Sequence, residues 1–548
     1  MECPMDATGS KAALVIQFHT IVNDASSRSS SPDREAEGTK HHCSVNEATE
    51  QFLLTVNPSV LLRVLSSCEL DPKDLAALEA TCKFFRDPAN FPPDLALSLP
   101  ELAAFDMCQE RAMFKPMKPK EKEWLKQRCG GSWKLVLRYI LVGEKNYRRE
   151  KSQVIAGPGH SIVVTAKGDV YSFGVNCSGQ LGLGDRENKF KPCLISSLQG
   201  IRITQAAVGL RRTMLVSDTG SVYTFGLDTF GWLDQYGGSN GNCVNSPKLL
   251  ESLKGVFVVQ ASIGGYFSAV LSREGRVYTF SWGRAERLGH SSELSDVEPR
   301  LLSGPLDDVL VAQIAAGNCY LLLLSYHPTG MSVYSLGCGL GGKLGHGNKD
   351  FEGVPKLIGH FQAFNIRPMS ISAGAWHAAV MCRDGRVFTW GWNSSGCLGH
   401  GDSEDCVTLP RAVEGLNNVK AVHVSAGEWC TFVVADNGDV YSFGFRGSHN
   451  LGFQDNDAEN EDVLPPKPAT LLADLNERFV QISPTSAYNW NNAEQPHHTV
   501  ALAESGIVYA FGGGSMGQLG VKLVEGKEAM PTPVQVAIDN VKSTPASA

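Results

Sequence analysis

From about residue 152 onward the chain alternates short apolar runs with polar turns. Ile162-Val163-Val164 precede Gly168, and Val170-Tyr171 follow it. Glycine supplies the positive φ of a tight turn, so such a pair of runs reads as a β-hairpin. The second run carries a recurring phrase: Tyr171-Ser172-Phe173-Gly174, Tyr223-Thr224-Phe225-Gly226, Tyr278-Thr279-Phe280-Ser281, Tyr334-Ser335-Leu336-Gly337, Phe388-Thr389-Trp390-Gly391, Tyr441-Ser442-Phe443-Gly444 and Tyr509-Ala510-Phe511-Gly512. Successive copies lie 52 to 56 residues apart, the last 68. Gly168, Gly220, Gly275, Gly385, Gly438 and Gly506 stand three residues ahead of the aromatic, while Gly330 stands four ahead. Further glycines precede six of the seven hairpins (Gly157, Gly209, Gly264, Gly317, Gly374, Gly427). A Leu-Gly step follows in six units, from Leu181-Gly182 to Leu519-Gly520, and each unit closes near a proline, from Pro192 to Pro533.

A unit of roughly 50 residues with three or four short strands is one propeller blade. One blade cannot bury both faces, whereas seven around a ring can, with few sheet edges left exposed. The pattern predicts an all-β seven-bladed propeller over 152–540, preceded by a small α-helical region over 51–151. Residues 1–50 read as a disordered segment and 541–548 as a flexible tail. The aromatic of each phrase is expected to pack between blades.

In the helical region, Asn57-Pro58 and Asp71-Pro72 are helix-start signals, with the cap residue followed by proline at the first helical position. Asp74 follows Asp71 by three residues, close to a capping box. The second helix places Leu75, Leu78, Cys82 and Phe85 on one apolar stripe. Two such short helices bury too little to stand alone, so they must pack on later helices or on a partner.

Composition narrows the function. The 548 residues include 56 glycines, which argues against an all-helical protein. Fifteen cysteines without C-x-x-C pairs indicate neither a disulfide framework nor a zinc site and point to a reducing compartment, cytoplasm or nucleus. No apolar run reaches 18 residues, and Met1 to Ser10 leads into no long apolar stretch, so neither a membrane span nor a secretory signal is expected. The net charge of −8 hides an asymmetry, because Arg111 to Lys151 holds 13 Lys+Arg against 4 Asp+Glu. Two readings stand for that segment: a solvated connector, or an electrostatic site for an acidic partner or nucleic acid.

The stretch from Gly157-Pro158-Gly159-His160-Ser161 through Gly168-Asp169-Val170-Tyr171-Ser172-Phe173-Gly174-Val175-Asn176-Cys177-Ser178-Gly179-Gln180-Leu181-Gly182-Leu183-Gly184 resembles the regulator of chromosome condensation repeat. The resemblance implies the seven-bladed propeller. It leaves activity open, since members of that family include a nucleotide exchange factor for the GTPase Ran, a plant UV-B photoreceptor and parts of ubiquitin ligases. A second resemblance lies over residues 55–90. Pro58, Leu61, Leu62, Leu65, Leu75, Leu78, Cys82, Lys83, Phe85 and Arg86 fall where an F-box has matching residues, and Ser132-Trp133-Lys134-Leu135 resembles the segment that often follows one. Asn57 and Phe84-Phe85 depart from the usual Leu and Trp. The F-box resemblance implies that Pro58, Leu61, Leu62, Leu65, Leu75, Leu78, Cys82 and Phe85 bind the groove of a Skp-type adaptor. The alternative is a related hairpin that only braces the propeller.

Catalytic motifs are not found: there is no phosphate-binding P-loop, no H-E-x-x-H and no nucleophile elbow. The series His160, Arg212, Phe267, Tyr320, His377, Cys430 and His498 is too mixed for a metal or catalytic ring, so its histidines are read as structural groups bonding neighbouring backbone. No cofactor, metal, membrane or small-molecule substrate is expected. The light sensor's Gly-Trp-Arg-His-Thr phrases have no full counterpart. Gly374-Ala375-Trp376-His377-Ala378 and Gly427-Glu428-Trp429-Cys430-Thr431 come nearest, with the tryptophan displaced by one residue and the arginine missing, so a packed indole cluster with flanking arginines is not encoded. Trp376, Trp429 and Trp392 are instead taken as target-binding residues. The expected function is a non-enzymatic interaction protein, the substrate receptor of a cullin-based ubiquitin ligase. The alternatives are a nucleotide-exchange or chromatin-associated regulator of a small GTPase, and a scaffold without a ligase role.

Overall fold

The computed structural model describes residues 58–67, 70–81, 85, 97–149, 151–227, 243–281, 298–402, 404–453, 462–486 and 497–538. The chain divides into two units, Met1–Val142 and Gly143–Ala548.

In the first unit, helices Pro58–Ser67 and Pro72–Thr81 begin at the two expected proline positions. Asp71 Oδ1 accepts the Lys73 and Asp74 N–H groups, and Asp74 Oδ2 accepts the Asp71 N–H at 2.9 Å, a reciprocal cap. Both helices pack on Leu99–Gln109. Phe105, Phe114 and Trp133 form an aromatic cluster with centroids 4.8 to 6.2 Å apart. Glu101 accepts the Ser132 hydroxyl and the Trp133 N–H at the start of helix Trp133–Asn146, while Lys134 pairs with Glu79 and Glu101. The Trp-Lys segment therefore locks later helices onto the hairpin.

The second unit holds seven four-stranded antiparallel sheets, each built from four consecutive strands. The blades span 153–194, 203–249, 258–301, 310–357, 368–412, 421–468 and 479–536. This is the seven-bladed propeller the repeats predict. Gly168 and Gly438 both have φ of 92° in the hairpin turns, which a side chain would strain. In blade 4 the extra residue moves the turn to Pro328-Thr329, between paired His327 and Gly330. The closing prolines sit on fourth strands, except Pro299, which immediately precedes one, at sheet edges that need no proline N–H.

Among the described residues no strand is exchanged between blades 1 and 7, so side chains fasten the ring. The first fastening joins each phrase aromatic to the preceding blade. Phe173, Phe225, Trp390, Phe443 and Phe511 are buried against Gly520, Gly182, Gly345, Gly399 and Gly452 respectively. A Cβ on Gly399 would lie 2.7 Å from the Phe443 ring, so the Leu-Gly step exists to admit the next blade's aromatic. The expectation of packing between blades holds, with a specific partner for each ring.

The second fastening is a glutamine belt on the innermost strands. Gln205, Gln260, Gln313 and Gln481 each bond both the N–H and C=O of one residue in the next blade: Ala261, Ile314, Ile371 and Val154. Gln153 reaches Thr204 O at 2.7 Å. Blade 7 is thereby stitched to blade 1 as blades 1 to 5 are to one another.

The third fastening uses the histidines. His160, His377 and His498 are fully buried and contact the hydroxyls of Thr213 (2.9 Å), Thr431 (2.8 Å) and Ser161 (2.7 Å) in the following blade. Those hydroxyls donate onward to the carbonyls of Gln180, Cys397 and Gln518. Each therefore accepts a hydrogen bond from Nε2–H, which sets the tautomer. Burial pushes all three histidines down to about 3. They reach neighbouring backbone through a hydroxyl rather than directly.

One end of the channel is crossed by the chain leading into blade 1. Asn146 Nδ2 donates to Met369 O (3.1 Å), Arg148 to Val480 O (3.1 Å) and Arg149 to Asp218 O (2.9 Å), spanning blades 5, 7 and 2. Arg149 is buried beside the Phe257 ring. The last cations of the basic segment are thus structural ties of the propeller.

Candidate functional site

At the opposite end of the inner strands, two kinds of loop converge. One is the Gly-x-x-His loop between strands one and two; the other follows the phrase glycine. They are tied by a repeated backbone bond. Val175, Leu227, Cys338, Trp392, Phe445 and Gly513 donate N–H to the carbonyls of Gly159, Arg211, Cys319, Trp376, Trp429 and His497, at 2.8 to 3.1 Å. Every such pair sets two side-chain positions on the channel mouth that the fold leaves free. Inside them the wall is tight: a Cβ on Gly374 would lie 2.3 Å from Gly427 O, and one on Gly317 2.6 Å from Gly374 O. The upstream glycines of the repeat serve this close backbone approach.

Blades 4 to 6 fill the mouth positions with aromatic and sulfur-bearing side chains. Trp376 stacks on Trp429, with centroids 6.2 Å apart and planes at 25°, and meets Trp392 edge-on at 5.9 Å. Phe445 meets His497 at 5.5 Å. Trp392 is 39% exposed and nearby Leu340 60%, whereas Trp390, two residues before Trp392, is fully buried. The three tryptophans taken as target-binding residues are therefore brought together. The indoles pack against one another, which the repeat phrases did not announce. Trp376 and Trp429 hold the same place in consecutive repeats, and Trp392 reaches them through its bond to Trp376 O. The flanking cation is Lys343, whose Nζ lies 5.0 Å from the Trp376 centroid.

Charge at the mouth is concealed. Glu428 is 7% exposed and accepts the Trp429 indole N–H at 3.1 Å; its other oxygen lies 3.4 Å from His497 Nδ1. Burial raises Glu428 to about 8 and lowers His497 to about 4, so at neutral pH the acid is largely protonated and the imidazole neutral. The arc from blade 4 to blade 6 is a wide apolar surface with hidden polar groups, chemistry suited to gripping a protein side chain. Among the described residues no group of three or more His, Cys, Asp or Glu is placed to hold a metal ion.

The expected adaptor residues have a different setting. Leu61, Leu65, Leu75, Leu78 and Phe85 are buried, and Leu62 is partly exposed. The side chain of Pro58 and all of Cys82 lie outside the described residues. Sequence reasoning did not single out the glutamine belt, Glu428, His497, Phe445, Lys343, Cys319 or Cys338. A signal existed: glutamine stands four residues ahead of the upstream glycine in blades 1 to 4, and the mouth residues hold fixed offsets from the repeat.

Residues 134–490 match the family model for the RCC1-like domain. The human E3 ubiquitin-protein ligase HERC2 is 33% identical over 304 residues, which cover 55% of this chain and 6% of that protein. The Ultraviolet-B receptor UVR8 of Arabidopsis thaliana is 28% identical over 372 residues, covering 67% of this chain and 78% of the receptor. Among solved structures, Prp20p of Saccharomyces cerevisiae superposes with a TM-score of 0.55 at 22% identity, over 68% of this chain and 86% of that one. That likeness shows the fold, and with the family match it establishes that this chain belongs to the RCC1-like domain family.

Proposed function

We propose that this chain is a non-enzymatic interaction protein that holds a target on the aromatic mouth of its propeller. In this reading it is a substrate receptor of a cullin-based ubiquitin ligase, acting by proximity and without covalent chemistry of its own. The observation that carries the proposal is the tryptophan trio on blades 5 and 6, partly exposed beside Leu340 while the rest of the repeat's aromatics are spent on packing. Aromatic anchors of this kind dominate protein interfaces.

The adaptor half of the proposal rests on the F-box resemblance of residues 55–90. With Leu61, Leu65, Leu75 and Leu78 buried, the adaptor would meet Leu62 and the exposed side chains around it. The test is co-purification of the full chain with a Skp-type adaptor, comparing wild type with Leu62→Asp. Recovery of adaptor with wild type and its loss with the variant supports the receptor reading; equal recovery by both ends it. Nucleotide release from a GTPase panel, or histone capture, in the absence of adaptor binding would replace it with the regulator reading.

A further inference from the structure

Blade 4 carries two cysteines at its mouth positions. Cys319 and Cys338 are thiols that continue the strand pairing one step beyond Tyr320 and Gly337, and the Cys338 N–H donates to Cys319 O at 2.9 Å. Residues facing each other across an antiparallel pair have Cα atoms about 4.5–5.5 Å apart, inside the span a disulfide bridges. Both side chains are partly exposed. The groups that act on the Cys338 sulfur are the Cys319 thiol, the Lys343 ammonium and the Leu340 backbone N–H, all potential donors. These donors hold the Cys338 thiol well below its ordinary value.

Lys343 is the second observation. It is fully buried, its Nζ donates to Leu340 O at 3.1 Å, and among the described residues no carboxylate lies within ion-pair distance of it. An unpaired buried cation is costly, and a thiolate at Cys338 supplies the missing anion. The same ammonium sits over the Trp376 ring, so the state of the sulfur is felt by the tryptophan cluster.

We propose that Cys319 and Cys338 are a redox-active dithiol at the channel mouth, oxidised to a disulfide by hydroperoxides. Cys338 thiolate attacks the distal peroxide oxygen and the O–O bond breaks. The departing oxygen takes a proton to leave as water or alcohol, and Cys338 becomes a sulfenic acid. Cys319 sulfur then attacks Cys338 sulfur, the S–O bond breaks and water leaves with the thiol proton. Two thiols give up two electrons, and one peroxide takes them.

The full reduced chain is treated with one equivalent of hydrogen peroxide at pH 7, alkylated and mapped by mass spectrometry. A Cys319–Cys338 linked peptide should form at least tenfold faster than exposed Cys177 is oxidised, with a change in tryptophan emission on the same time course. Cys319→Ser should stop Cys338 at a sulfenic acid trapped by dimedone, and Lys343→Met should slow the first step at pH 6 more than at pH 9. The pH dependence of Cys338 alkylation in the wild-type chain needs no variant; its midpoint should fall at least two pH units below that of Cys177. Equal oxidation rates for Cys338 and Cys177 without a linked peptide, or equal midpoints, would overturn the proposal.

Discussion

The arc of blades 7, 1 and 2 and the arc of blades 4, 5 and 6 are built alike and finished differently. In the first, glutamine stitches blade 7 to 1 through Gln481 and blade 1 to 2 through Gln153, and buried His498 and His160 bridge the same gaps. In the second, Gln313 and His377 do the same work, and Ser372 Oγ accepts the Ala426 N–H where Ser370 replaces the glutamine. Their mouths diverge. Gly159, Val175 and Gly513 keep blade 1 and part of blade 7 small, and blade 2 carries Arg211 and Leu227, while tryptophans, phenylalanine and paired cysteines crowd the other. The ring constrains a few positions in every repeat and leaves two free at the mouth. Function can therefore be written on one arc without disturbing closure.

The comparison breaks first at a fastening glycine. Gly399→Val puts a side chain on a φ of 71° and against Phe443, and should cost about 3–5 kcal/mol, read as a lowered denaturation midpoint. Next, Trp390→Ala and Trp392→Ala separate packing from surface within one strand. The buried indole should cost about 3–5 kcal/mol, the exposed one under about 1 kcal/mol, with target binding lost only by the latter. Gln313→Ala removes both bonds to Ile371 and should cost about 1–3 kcal/mol with no change at the mouth.

The smallest effect is in pH, where the buried histidines and the buried acid should respond oppositely. His160 and His498 are held near 3, so the unfolded chain binds protons that the folded chain refuses. Stability is full above about pH 6.5 and falls as pH drops toward 3. Glu428 is raised to about 8, so its contribution is full at low pH and is lost as pH rises from the ordinary carboxylate range through 8. Denaturation midpoints across pH should show Glu428→Gln flattening the alkaline limb and His160→Gln the acid limb. Identical profiles for both variants would mean that neither group titrates as its burial implies.

The sequence by itself determined the number of blades, the hairpin turns, the aromatic and Leu-Gly steps and the two helix starts. These are local: turns depend on φ at single glycines, strands on apolar runs, and caps on residues three apart. It also put Trp376 and Trp429 at the same place in consecutive repeats. Only the tertiary structure decided what those positions become together. Trp392, Trp376 and Trp429 belong to three loops of two repeats, and Cys319, Cys338 and Lys343 to three places in a third. Their proximity depends on how far each blade turns relative to the last and on which inner-strand carbonyl each loop bonds. The adaptor residues show the same limit, because an apolar stripe announces burial but not its partner: Leu61, Leu65, Leu75 and Leu78 are buried within this chain. Periodicity records what each repeat must do to close the ring, and a surface made from the residues left over exists only once it has closed.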